Sequence, residues 1–352
     1  MARAGSLAHE EDGEIKPIRY AYAYVPYYIY KSLLKNKRRN SLQQSYLDAG
    51  KTGRKIRPKV FGRFKENDYL CSVKIKEVLS ALERFAPLPL QESWDNAGLQ
   101  VGLTETEVSG ALLCLDVNEQ IVDEALRKGC NLIVSHHPLL FRGLKQVSGS
   151  DYVQRTVMKA IKNDVCVVSM HTNMDNAWGG VNFKIAEKMG AKPIVHKAPT
   201  TAPEGASLPC PQTLVSPPGD ERGAVKIPMV LAELPQPMAA RDFVQMVKER
   251  FGVACAMCNE LLERPIRKVA ICGGAGDFML PDALAAGADA FVTGEMHYHV
   301  FFDYEQKLQI CVIGHYQSEQ FTSEVFRDII NKECPDVRTE IAETNTNPIR
   351  YI

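Results

Sequence analysis

The sequence predicts an internally duplicated α/β protein. Three observations point to this: short apolar runs alternate with helical periods, one such run recurs later in the chain, and histidines stand where the runs end. Regularity begins at Val73. Ile75, Val78, Leu79 and Leu82 recur at helical spacing, so a helix is expected there. Ser93-Trp-Asp-Asn-Ala-Gly-Leu-Gln-Val-Gly102 reads as a loop entering a strand. Ala111 to Asp116 is then a buried strand, Glu119 to Lys128 a helix, and Asn131 to Val134 a second buried strand ending at Ser135-His136-His137-Pro138.

The recurrence lies in the second half. Val269 to Cys272 reads as a strand, Pro281 to Ala286 as a helix, and Ala290 to Val292 as a strand that ends at Thr293-Gly-Glu-Met-His297-Tyr-His299. Asp123-Glu-Ala-Leu-Arg-Lys-Gly-Cys-Asn-Leu-Ile-Val aligns with Pro281-Asp-Ala-Leu-Ala-Ala-Gly-Ala-Asp-Ala-Phe-Val. Each half continues with a further strand carrying a histidine, Val165 to His171 and Gln309 to His315. Apolar strands separated by helices imply mainly parallel sheet, and such sheets collect ligands at the carboxyl ends of their strands. Residues 191 to 224 are rich in Pro, Gly, Ser and Thr and read as a linker loop. A strand-like run, Met229 to Leu234, and a helix, Ala239 to Phe251, open the second half.

Composition narrows the class of protein. Of 352 residues, 45% are hydrophobic and 24% charged, and no apolar run approaches the roughly 18 residues that a membrane-spanning helix needs. A membrane span is excluded on that ground, and a cytoplasmic protein is expected. The net charge of zero conceals an asymmetry: residues 16 to 65 hold 14 Lys or Arg and one acid, Asp48, which leaves residues 66 to 352 with 27 basic and 37 acidic side chains. An acidic body disfavours nucleic acid as a partner. The basic, tyrosine-rich residues 1 to 72 have no clear period and lack a secretory pattern; they read as a disordered or spurious extension. Ten cysteines are thinly spread, several inside apolar runs, and are expected as buried free thiols; the one close pair, Cys255-Ala-Met-Cys258, is given no function.

The chemistry sits with the histidines. Taken singly, His136 or His137 would be an ordinary satisfied histidine, but six of the eight, at 136, 137, 171, 297, 299 and 315, fall at strand ends. Asp175 follows His171 in a polar stretch bounded by Trp178-Gly-Gly. His315 and Glu319 are four residues apart where a helix is expected to start, so imidazole and carboxylate share a face and can meet one ion or bridge two. Three imidazoles and two carboxylates suit divalent Zn, Fe, Mn or Ni better than Ca or Mg, and a pair of such ions is the equipment of a hydrolase. Asp95, Asn96, His171, Glu295, His297 and His299 lie around this set in the sequence. Glu295 and His297 are expected as the catalytic proton carriers. Cys272-Gly-Gly-Ala-Gly276-Asp277 follows a strand but matches neither GxGxxG nor a P-loop, and reads equally well as a tight turn.

Taken together, SWDNAGLQVG at 93 to 102, SHHPLLFRGLK at 135 to 145, HTNMDNAWGGVN at 171 to 182, CGGAGDF at 272 to 278, TGEMHYH at 293 to 299 and GHYQSEQF at 314 to 321 resemble the Nif-three-like family, also called GTP cyclohydrolase 1 type 2 homologues. The resemblance covers about residues 73 to 352. It implies two similar α/β lobes, here 73 to 190 and 225 to 352, with a dinuclear metal site in the cleft between them and assembly into a homohexameric ring. Its ligands fall on His136, His137, Asp175, His315 and Glu319. Many bacterial relatives carry an inserted domain between the lobes, which residues 191 to 224 are too few to hold. The function it implies is a metal-dependent hydrolase acting on a nucleotide or a related phosphate-bearing or cyclic-amide compound. The alternative is a non-catalytic metal-handling or scaffold protein.

Overall fold

The computed structural model describes residues 72–194 and 226–352. The extension at 1 to 72 lies outside the described residues except for Ser72, and so does the linker except for residues 191–194.

Helix α1 (Ile75–Phe85) turns Ile75, Val78, Ala81 and Leu82 inward, and its Glu77 carboxylate accepts the Lys74 N–H at 2.9 Å, closing the first turn. Five strands follow the order β1 (Gly98–Val101), β4 (Cys166–Ser169), β3 (Leu132–Ser135), β2 (Ala111–Cys114), β11 (Thr339–Ile341). All neighbours are parallel except β1 with β4. Helices α2 (Glu119–Arg127) and α3 (Tyr152–Lys162) make the crossovers. Each begins at an Asx cap: Asn118 accepts the Gln120 and Ile121 N–H groups, and Asp151 accepts that of Gln154.

After β4 come the short helix α4 (Thr172–Asp175) and helix α5 (Val181–Lys188). A second, six-stranded sheet runs β5 (Lys192–Pro193), β6 (Val230–Met238), β8 (Ile266–Ala275), β9 (Ala290–Glu295), β10 (Gln309–Val312), β7 (Met257–Cys258). Helices α6 (Ala240–Phe251), α7 (Leu280–Ala285), α8 (His315–Glu319) and α9 (Thr322–Glu333) complete the chain.

The sequence repeat is visible as two parallel trios, β2–β3–β4 and β8–β9–β10. The expectation of mainly parallel sheet describes the first sheet; in the second, β6 is antiparallel to β8, and the edge strands β5 and β7 are antiparallel to β6 and β10. Side-chain alternation explains why these strands are apolar throughout. Leu113, Val134, Val168, Val269, Val292 and Cys311 face one continuous core shared by the two sheets, and Leu112, Ile133 and Val167 face a separate core on the far side of the first sheet. Ala270, Phe291 and Ile310 do the same for the second sheet.

Strand-to-helix boundaries differ from the sequence reading where polar residues take over. The run Gln309 to His315 is strand only to Val312, and His315 opens α8, where a helix was expected to start; likewise the run Val165 to His171 is strand only from Cys166 to Ser169, and the polar stretch after His171 forms α4, which ends at Asp175. The last strand, β11, pairs with β2, so the end of the chain completes the first sheet. Eight cysteines lie among the described residues, all free and six of them buried. Cys258 stands across the β7–β10 ladder from Cys311, while Cys255 is exposed. Among the described residues no helix is long and apolar enough to cross a membrane.

Candidate metal centre

All the expected ligands emerge from carboxyl ends of the two parallel trios. His136 and His137 follow β3, where their N–H groups bond the Leu115 carbonyl and extend the ladder beyond the strand. His136 is fully buried, and its Nδ1–H donates to the Met170 carbonyl at 2.9 Å. That bond fixes the tautomer and leaves the Nε2 lone pair pointing at Asp175 Oδ1 (3.6 Å) and Glu319 Oε1 (3.7 Å). Neither His136 Nε2 nor Asp175 Oδ1 has a hydrogen-bond partner, although both atoms are buried.

His137 Nε2 lies 3.0 Å from Glu319 Oε2 and 3.2 Å from His315 Nε2, and the last is itself 3.2 Å from Glu319 Oε2. Behind them sit further carboxylates. Asp116 Oδ1 holds His137 Nδ1 at 2.7 Å while its other oxygen accepts from Thr346 Oγ1, and Glu295 lies 3.3 Å from His315 Nδ1. Three donor trios result, His136–His137–His171, His137–His315–Glu319 and His136–Asp175–Glu319, each with its donor atoms within 4.8 Å of one another.

Charge at the centre is redistributed by burial and by these neighbours. Burial lowers the pKa of His136 and favours the neutral, ligating imidazole. Burial opposes charge on His137 and His315 too, but Asp116 and Glu319 outweigh it at His137 and push it up to about 10, and Glu319 raises His315 to about 9. Asp175, desolvated and facing Glu319, is pushed well above the carboxylate range; Glu319 is held well below it by the three imidazoles in spite of burial. Two orphaned buried donor atoms, in a converging set of three imidazoles and two carboxylates, fit divalent transition ions.

The glycine-rich end of β8, bulged between Cys272 and Ala275, serves this centre sterically. Gly274 has a left-handed φ of +61°, and a Cβ there would strike the Glu319 carboxylate. Its N–H groups are already taken: Gly273 donates to Asn182 Oδ1, Gly274 to Ser318 Oγ and Gly276 to Thr293 Oγ1. It is the bulged end of a strand, where the sequence had left a tight turn or a phosphate loop open, and not an anion cradle. Gly274→Ala is expected to lower metal affinity about 10-fold by displacing Glu319, the scale of a lost supporting contact. Competition against a chelating indicator measures it, and an unchanged affinity would detach this strand end from the centre.

The other residues singled out in the sequence divide into two groups. Asp95 Oδ1 holds His171 Nδ1 at 2.7 Å, and the His171 ring lies 5.2 Å from that of His136 and 5.5 Å from that of His137. Glu295 touches His315 from behind. His297 is 88% exposed and pairs with Asp277, Asn96 donates to the Leu140 carbonyl, and His299 packs against Tyr298 and Phe302. Asp116 and Thr346 were missed. Asp116 had one signal, its place at the end of an apolar strand beside the histidine-bearing one; Thr346 had none.

A cavity of about 470 Å³ opens over the cluster, with His137, His171, Asp175, His315 and Glu319 among its lining. A second cavity, of about 340 Å³, lies on the other side of His315 and is lined by Glu295, Asp277 and His297.

Comparison with known proteins agrees with this architecture. Residues 73–348 match the family model Duf34/NIF3 (NGG1p interacting factor 3). A Clostridium perfringens protein called GTP cyclohydrolase 1 type 2 homolog is 30% identical over 284 residues, which covers 80% of this chain and all of that protein. A Staphylococcus aureus protein of the same name is 26% identical over an alignment of 368 positions that also covers 80% of this chain, so it carries length that this chain lacks. Among solved structures, one of a Staphylococcus aureus protein superposes with a TM-score of 0.68 at 27% identity, covering 80% of this chain and 99% of that one. A Bacillus cereus protein related to NIF3 superposes with a TM-score of 0.67 at 25% identity and the same coverage. On the match of residues 73–348 to the family model and on the likeness to these relatives, the chain belongs to the Duf34/NIF3 family.

Proposed function

We propose that this protein is a metal-dependent hydrolase that holds two divalent ions, Zn, Fe, Mn or Ni, on His136, His137, Asp175, His315 and Glu319. The observation that carries the reading is the convergence of these side chains, two with unpartnered buried donor atoms, at the floor of an open cavity. Ions bound there supply Lewis acidity and lower the pKa of water. The protein's own groups do the rest. Met170, Asp116 and Glu295 orient the imidazoles of His136, His137 and His315, and Glu319 spans all three. His171, steadied by Asp95, faces the cavity and is placed to carry a proton to or from a molecule in it. Glu295 and His297 keep a proton-carrying role in this proposal from behind His315, at the neighbouring cavity.

The substrate class proposed is a nucleotide or a related phosphate-bearing or cyclic-amide compound, in line with the name borne by the relatives. Two lobes, 73 to 190 and 225 to 352, flanking the ions, a homohexameric ring and a cytoplasmic location belong to the same proposal; free thiols among the described cysteines support the last. A second reading, a metal-handling or scaffold protein working through protein–protein contacts, is favoured by the description of the family as an interacting factor.

Elemental analysis of the purified chain, with hydrolysis of a compound panel followed in the same samples, separates the two. The hydrolase reading expects turnover that requires the ions. It also expects Asp95→Asn to cut kcat about 100-fold, within the range for a misoriented general base, at unchanged metal content. Bound ions without turnover of any compound would favour the scaffold.

A further inference from the structure

The cavity above the cluster has an unusual lining. Trp94 and Phe141 meet edge to face at 5.8 Å, and both rings also abut His171, at 6.0 and 6.3 Å. Phe278 lines the same cavity. All three are large apolar rings left open, at 58%, 46% and 64% exposure. Exposed aromatics scattered singly need no explanation, but three on one cavity with a metal-ligand cluster at its floor mark a surface that awaits a flat partner.

Charge speaks against an anion there. Glu92, Asp175 and Glu319 line the cavity, and among the described residues no Lys or Arg does. Lys226, beside Glu92, is engaged by that carboxylate at 3.0 Å and by the Gln91 carbonyl at 2.8 Å. The glycine N–H groups that a phosphate would need are occupied by Asn182, Ser318 and Thr293. Five carboxylates, Asp95, Asp116, Asp175, Glu295 and Glu319, surround the imidazoles, enough to offset the charge of two divalent ions. The loaded centre therefore offers a metal-bearing floor of little net positive charge.

We infer that the cavity takes a planar, uncharged heteroaromatic ring, stacked on the Trp94–Phe141 wall and Phe278 with a ring heteroatom directed at the cluster, and that it discriminates against polyphosphate. This rests on the hydrolase reading and selects the cyclic-amide member of its substrate class. A ring of that kind is held by its π-face, and stacking on an aromatic side chain contributes about 1–3 kcal/mol per base.

The test is equilibrium dialysis of the zinc-loaded full-length chain against hypoxanthine and uracil, with inorganic tripolyphosphate as competitor. Saturable binding of at least one base is expected, with equimolar tripolyphosphate displacing little of it. Trp94→Leu and Phe278→Leu keep apolar volume and lose the ring, and each should weaken that binding about 10-fold with zinc content unchanged. Binding of neither base, tripolyphosphate binding at least as tightly, or ring variants that bind as the wild type does would each overturn the inference. So would a drop in sedimentation mass in the ring variants with base binding intact, which would show that the rings seat a second copy of the chain. The hydrolase reading fails separately: base binding without turnover of any compound retires the hydrolase and leaves the ring pocket, whereas turnover unaffected by both ring variants does the reverse.

Discussion

Glu319→Ala is expected to strip the protein of bound metal. The residue is 3% exposed and its two oxygens reach all three imidazoles of the set, His136, His137 and His315. Removing an outlying partner of a metal site typically costs about 10–100-fold in affinity, and removal of this central carboxylate should exceed the top of that range. After dialysis against a micromolar free ion, elemental analysis should find the variant largely empty beside a loaded wild type. Asp175→Asn, nearly isosteric, controls for collapse of the site: it removes one ligand charge and keeps the shape. Should both variants retain wild-type metal, the ions must bind elsewhere and the centre described here would be a set of mutually satisfied buried charges.

Glu124→Gln is expected to destabilise the fold by about 3 kcal/mol at pH 7, the scale of a broken buried charge network. Glu124, fully buried on α2, accepts from the N–H groups of Glu343 and Thr344 and from the Thr344 hydroxyl, and it pairs with Lys128 Nζ at 3.0 Å. Burial works against its charge, yet these donors prevail and hold its carboxyl down at about 2, below the ordinary 4.5. The sign follows. A pKa lower in the folded than in the unfolded chain means that the stabilisation is complete above about pH 4.5 and is lost as pH falls towards 2. Urea unfolding of both proteins should therefore show a wide gap at pH 7 that closes steadily below pH 4.5. A gap of constant width would show that the loss comes from packing and not from the charge. The same tether positions the segment that carries Thr346 to Asp116, so the variant should also hold metal less firmly.

Much of the candidate centre was legible because the side chains that converge in it sit next to strong local signals. His136 and His137 end an apolar strand, His315 follows another, and Glu319 is one helical turn beyond it; none of this requires knowledge of distant residues. The candidate proton carriers were not rankable in that way. Glu295 and His297 are two residues apart, but β9 ends at Glu295, which reaches His315, while the turn at Tyr298–Phe301 leaves His297 in solvent against Asp277. His171 sits at the end of a strand from the same trio as His136, and only the β3–β4 register sets its ring against those of His136 and His137.

By itself, then, the sequence determined the α/β class, the repeat and the five metal-binding candidates. Each depends on periodicity and spacing within about one strand or helix, where side-chain direction is set by local geometry. What only the tertiary structure decided are the things that depend on which surfaces cover one another. Two sheets share one core, the C-terminal strand joins the first sheet, Asp116 and Thr346 stand behind His137 although 230 residues separate them, and three aromatic rings from separate segments line the cavity over the candidate centre. Those pairings are fixed by burial of apolar faces and by satisfaction of buried polar groups across the whole chain, and neither leaves a local period in the sequence.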